Sequence, residues 1–162
     1  MNINRTIKSI PSHARLWFYN VPKKLSEDEV LIFEGLRKQF LDSWNTHGRA
    51  NEGDVWLIEN QLIVVVGWNE FEPISGCSID KSVAFIRSLS ERFQVDLMDR
   101  MWVYFQRNSA WESAKIHQFW ALRKANEIGD DTLVLDTTIT EFSQMDNLSK
   151  TFASSWHAQM WK

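Results

Sequence analysis

The sequence predicts an α+β fold: a mixed or antiparallel sheet of about five strands with flanking helices. Three observations carry this expectation. Val30, Phe33, Leu36, Phe40 and Trp44, and again Ile79, Val83, Ile86, Leu89 and Phe93, recur at three- and four-residue spacing, the mark of a helix with one apolar face. Between these stripes, Leu62 to Val66 is apolar on both faces and reads as a central strand. The 162 residues are 44% apolar and 24% charged, a globular balance that excludes wholesale disorder.

Element by element, residues 1–14 read as an N-terminal arm and 15–162 as a single domain. Arg15 to Val21 is the first strand, with Trp17 and Tyr19 on one face, Leu16 and Phe18 on the other, and Pro22 as its stop. Ser26 and Glu29 form a capping box and Leu25 and Val30 a hydrophobic staple, so helix one starts there. Asn45-Thr46-His47-Gly48 ends it, Gly48 taking the left-handed terminating conformation. Val55 to Glu59 and Leu62 to Trp68 form a hairpin about Asn60-Gln61. Ser75-Gly76-Cys77-Ser78 leads into helix two, and Met101 to Gln106 is a further strand. Ser109 and Glu112 make a second capping box, opening a helix that runs to Ile128 and is closed by Gly129. Thr132 to Ile139 is the last strand, and Met145, Leu148, Phe152 and Trp156 mark a C-terminal helix. The first six elements, β-α-β-β-α-β, match the ferredoxin-like split-βαβ arrangement, followed by an α-β-α extension.

Several function classes are excluded by composition and motif. With 18 Lys+Arg against 21 Asp+Glu, the formal charge of −3 argues against nucleic acid, whose phosphates require clustered cations. The first fifteen residues lack the apolar stretch of a signal peptide. The longest apolar run, Leu62 to Trp68, falls far short of the roughly 20 residues a membrane span needs, so no membrane insertion is expected. Cys77 is the only cysteine, so there is no intrachain disulfide and no zinc pattern, and a soluble cytoplasmic protein is the plain expectation. Gly48 to Gly53 fits G-x-x-x-x-G, but Asp54 and Val55 stand where a phosphate loop needs Lys and Ser or Thr, so the chain has no Walker A motif. His13, His117 and His157 have no metal-ligand spacing, and neither metal nor cofactor is expected. Nine tryptophans make the chain Trp-rich, a composition that suits cores, interfaces and ligand-stacking walls.

The candidate site is the turn Ser75-Gly76-Cys77-Ser78-Ile79-Asp80. Small and hydroxyl residues at a helix start favour an anion or a thiolate there. Cys77 is then a candidate nucleophile, with His47 or His117 as its base. The plain alternative has Ser78 capping the helix, Asp80 complementing the dipole and Cys77 as a small buried apolar residue. Helices one and two of a split βαβ run antiparallel, which predicts Trp44, His47 and Gly48 at the same edge as Ser75 to Ser78, with His47 and Cys77 within about 10 Å. Glu70, Glu72, Asp130, Asp131 and Asp136 could supply carboxylates, but nothing in the sequence fixes their separation.

At Trp44-x-x-His47-Gly48, at Ser75-Gly76-Cys77-Ser78-Ile79-Asp80-Lys81-Ser82-Val83 and at Asp99-Arg100, the chain resembles a family of short uncharacterised bacterial proteins. Some of these are loosely labelled ABC-transporter ATPases. The similarity runs from Arg15 to Arg100 and recurs at Ser155-Trp156-His157. The resemblance draws attention to Cys77 and His47 and implies no activity; the ATPase label does not suit a chain without a phosphate loop. Two functions are expected on these grounds. The first is a non-catalytic binding or regulatory domain for a small anionic ligand or a protein partner, with a homodimer as one form. Its ligand site is expected at Ser75, Gly76, Cys77, Ser78, His47 and Trp44. The alternative is a small thiol-dependent enzyme with Cys77 as nucleophile.

Overall fold

Arg15–Asn20 alternates its side chains between two faces, as a strand between packed layers must, and forms β1 of the computed structural model, which describes residues 10–46 and 48–160. These residues fall into two units. One runs up to Asp99 and takes in Thr140–Ser143; the other is Arg100–Ile139 with the residues from Gln144 on.

In the first unit, β1 is followed by α1 (Glu27–Ser43), a short ribbon of β2 (Asn45–Thr46) and β3 (Arg49–Ala50), the hairpin of β4 (Glu52–Ile58) and β5 (Leu62–Trp68), and α2 (Gly76–Phe93). The Ser26–Glu29 capping box forms in full and opens α1. β5 is central in a three-stranded antiparallel sheet of order β1-β5-β4, and every residue of β5 except Trp68 is buried. Phe33 and Phe40 from α1 and Phe85, Ile86, Leu89 and Phe93 from α2 share one core with Tyr19, Val55, Ile63 and Val65 of the sheet. Phe40 stacks on Phe85 with ring centroids 4.5 Å apart, which joins the two helices. Both outer strands make further contacts at their edges. Arg37 of α1 donates from Nε to the Val55 carbonyl (2.7 Å) and pairs with Asp54 along β4. Beyond β1, Leu16 donates to the Thr140 carbonyl (2.9 Å) and Phe142 to that of Ala14 (2.8 Å).

The second unit holds β6 (Trp102–Arg107), β7 (Ala110–Lys115), α3 (Ile116–Lys124), β8 (Leu133–Leu135), β9 (Ser149–Thr151) and the short α4 (Trp156–Gln159). Its four strands are antiparallel in the order β7-β6-β8-β9. Phe119 of α3 packs on Val103, Phe105 and Val134 of that sheet, together with Phe152.

The α+β class holds, and several finer expectations need correction. The one sheet of about five strands is replaced by sheets of three, two and four among the described residues, and the sixth element, β6, joins the four-stranded one. Ser109 and Glu112 do not open a helix. Asn108 (φ 51°) and Ser109 (φ 62°) make the two-residue turn between β6 and β7, and Glu112 pairs instead with Arg107 at 2.9 Å. Trp111 stacks on Tyr104 across the hairpin at 5.5 Å, a cross-strand contact that a helix would forfeit. The predicted C-terminal helix is interrupted because Ser149–Thr151 pairs with Leu133–Leu135. Gly48 keeps its left-handed conformation (φ 81°), but in the β2–β3 turn, since α1 has already ended at Ser43. The β4–β5 turn is shifted by one residue: Glu59 and Asn60 take positive φ, and Gln61 is buried.

Candidate functional site

Two places in the first unit gather chemistry-bearing side chains, and they differ in what is free to act. The first is the start of α2. Ser75 is the N-cap: its hydroxyl accepts from the Ser78 amide, so the expected cap, Ser78, is the capped residue. The Ser78 hydroxyl is buried and donates to the Asn45 carbonyl at 2.5 Å, with the Thr46 and Ser75 hydroxyls 2.8 and 3.0 Å away. Trp44, also buried, donates its indole N–H to the Ser78 carbonyl at 2.8 Å. The indole lies against the sheet where there is room for no side chain: a Cβ on Gly67 would stand 2.2 Å from the Trp44 ring. Each net hydrogen bond of this kind stabilises by about 0.5–1.5 kcal/mol, and the set fastens α2 to the end of α1.

The structure therefore brings Trp44 to Ser75 and Ser78. Gly76 and Cys77 point outward; Cys77 is an exposed free thiol, against the expectation of a small buried residue. His47, and with it the expected approach of His47 to Cys77, lies outside the described residues. His117 is exposed on α3. Among the described residues, no three His, Cys, Asp or Glu side chains converge as a metal site.

The second place is a cleft of about 390 Å³ at the C-terminal end of β5. Gly67 and Trp68 enter it from β5, Asn69, Glu70, Phe71, Glu72, Pro73 and Ile74 from the loop toward α2, and Ile79 from α2 itself. His13 and Arg15 close it from the start of β1, and Glu141 from the segment beyond that strand. The loop is shaped by buried Asn69, whose Oδ1 accepts from the Phe71 amide at 3.1 Å, a local turn that leaves the Phe71 ring 70% exposed. Arg49 of the β2–β3 ribbon rests over that ring, 5.1 Å from its centroid, and Arg15 over Trp17 at 5.8 Å. Arg15 and Glu141 are bridge partners, so their side chains are neighbours across the strand pair.

Sequence reasoning reached Glu70 and Glu72 as carboxylates without a location, and it missed Arg15, Trp68, Asn69, Phe71 and Glu141 as a group. The legible signal was Trp68-Asn-Glu-Phe-Glu-Pro73, two aromatic and two acidic residues in a stretch closed by proline. Glu141 carried none, because only folding brings it beside Arg15.

Comparison with known proteins finds no match of this chain to a family model, a curated protein or a solved structure. No helix among the described residues is long and apolar enough to cross a membrane.

Proposed function

We propose that the protein is a non-catalytic binding module and that its binding site is the cleft at the end of β5, where it takes a segment of a partner protein. The observation that carries this reading is the cleft itself: a concave volume of about 390 Å³ with Trp68, Phe71 and Ile74 as apolar walls and charged groups at its rim. Ligand sites of roughly 300–1,000 Å³ combine apolar walls with a few polar groups in this way. The start of α2 supports the same reading from the other side, since the Ser75 and Ser78 hydroxyls and the Trp44 N–H are engaged within the chain and serve as fasteners. We read the first unit as a shortened split βαβ, a ferredoxin-like core in which the segment beyond β1 stands for the fourth strand. The antiparallel order β1-β5-β4 with α1 and α2 on one face supports that reading.

The test is a titration of the ¹⁵N-labelled full chain with indole-, phenol- and guanidine-bearing fragments. The expected result is shifts of the Trp68 indole N–H and of the amides from Asn69 to Ile74. Fragments that shift only other regions, or none that shifts these, would contradict the reading. The thiol-enzyme alternative is favoured by one observation, the exposure of Cys77 in the first turn of α2. The same sample decides it: the binding reading expects Cys77 to alkylate at the rate of a free peptide thiol, and a tenfold faster reaction would favour the enzyme.

A further inference from the structure

Resting on the binding-module reading, we infer that the cleft recognises a basic segment of its partner, with an arginine side chain as the group that enters. Charge is the first argument. The lining holds one Arg, Arg15, against three carboxylates, Glu70, Glu72 and Glu141. Arg15 stands across a backbone β-bridge from Glu141, so these two opposite charges cancel in the sum. Beyond that pair stand the two carboxylates of Glu70 and Glu72, which bracket Phe71 in the sequence, against the one cation over that ring, Arg49, so the charge left is negative and draws a further cation toward the wall. An anionic ligand, expected from sequence at the Ser75–Ser78 turn, would meet the same two carboxylates as repulsion if it entered this cleft.

The second argument is the wall. An aromatic face attracts a guanidinium through its quadrupole, and Arg binds planar carboxylates and aromatic rings together better than Lys does. One guanidinium, that of Arg49, already lies over the Phe71 ring at 5.1 Å, and the residue is still 70% exposed to a second. Size is the third argument, for a cleft of about 390 Å³ suits one or two side chains rather than a folded element.

The test compares three fluorescein-labelled peptides, acetyl-Gly-Arg-Ala-Arg-Gly-amide and its Gln and Glu counterparts, by anisotropy with the full chain at low salt. The Arg peptide is expected to bind about tenfold more tightly than the Gln peptide, with the preference fading as salt is raised. The double variant Glu70→Gln/Glu72→Gln, which leaves the core untouched, is expected to erase the preference. Equal binding of the Arg and Gln peptides, tighter binding of the Glu peptide, or an Arg preference that survives the double variant would overturn the inference. If no peptide binds while fragments still shift Trp68, the charge inference fails and the binding module stands; if neither peptides nor fragments reach Trp68, both fail.

Discussion

The imidazole of His157 is stacked on Trp156 with ring centroids 3.9 Å apart, lies 6.1 Å from the Phe119 ring, and is almost wholly removed from water. Burial disfavours its charged form and pulls its pKa down to about 4, against a smaller opposing pull from the Asp136 carboxylate. Asp136 is itself buried; burial pushes its pKa up, but hydrogen bonds from Thr138 and Lys150 outweigh this and hold the carboxyl ionised below its ordinary range. The sign for His157 follows. The unfolded chain takes up a proton near pH 6.5 and the folded chain only near pH 4, so the stability held above pH 6.5 is lost as pH falls between those values. The whole span is worth about 3 kcal/mol, of which about 2 is lost by pH 5. His157→Phe keeps the ring and removes the titration, so urea unfolding at pH 7 and pH 5 should show the wild type losing about 2 kcal/mol more than the variant. Equal losses would show that His157 is not held neutral. At this scale the sequence was informative about residue type and poor on role: three serines stand within eight positions, and only the fold shows that Ser75 caps while Ser78 and Ser82 are buried.

Among the elements, α1 and β5 were legible because local signals and packing agree: capping box, staple and stripe in one case, an unbroken β-branched run in the other. The β6–β7 hairpin was not, because Ser109 and Glu112 satisfy a capping pattern while the deciding contacts, Tyr104 with Trp111 and Arg107 with Glu112, lie across the turn. Leu148 and Phe152 likewise fit a helical stripe in sequence, yet the Ser149–Thr151 segment between them finds its partner in β8. The hairpin makes its own prediction. Ser109 sits at φ 62°, a conformation that glycine adopts at little cost and serine does not. Ser109→Gly should therefore raise stability by about 0.5–1 kcal/mol, read as a higher urea midpoint. As a helix cap the same change would cost a few tenths instead, so a lower midpoint would contradict the hairpin.

For the whole molecule, the fold class was readable from periodicity, whereas the candidate cleft was not, since it is assembled from the start of β1, the end of β5 with the loop after it, and a segment beyond residue 139. The turn before α2 drew attention because its residue types are reactive in isolation; in the fold its hydroxyls are spent on holding α2 to α1. What is left facing outward at the cleft is an aromatic wall between two carboxylates. The most direct measurement is the set of intermolecular NOEs between the arginine side chains of the bound Gly-Arg-Ala-Arg-Gly peptide and the labelled full chain. The expected result is contacts from the arginine Hδ protons to the ring protons of Trp68 and Phe71. Contacts confined to the surface around Gly76 and Cys77, with Trp68 and Phe71 silent, would contradict it.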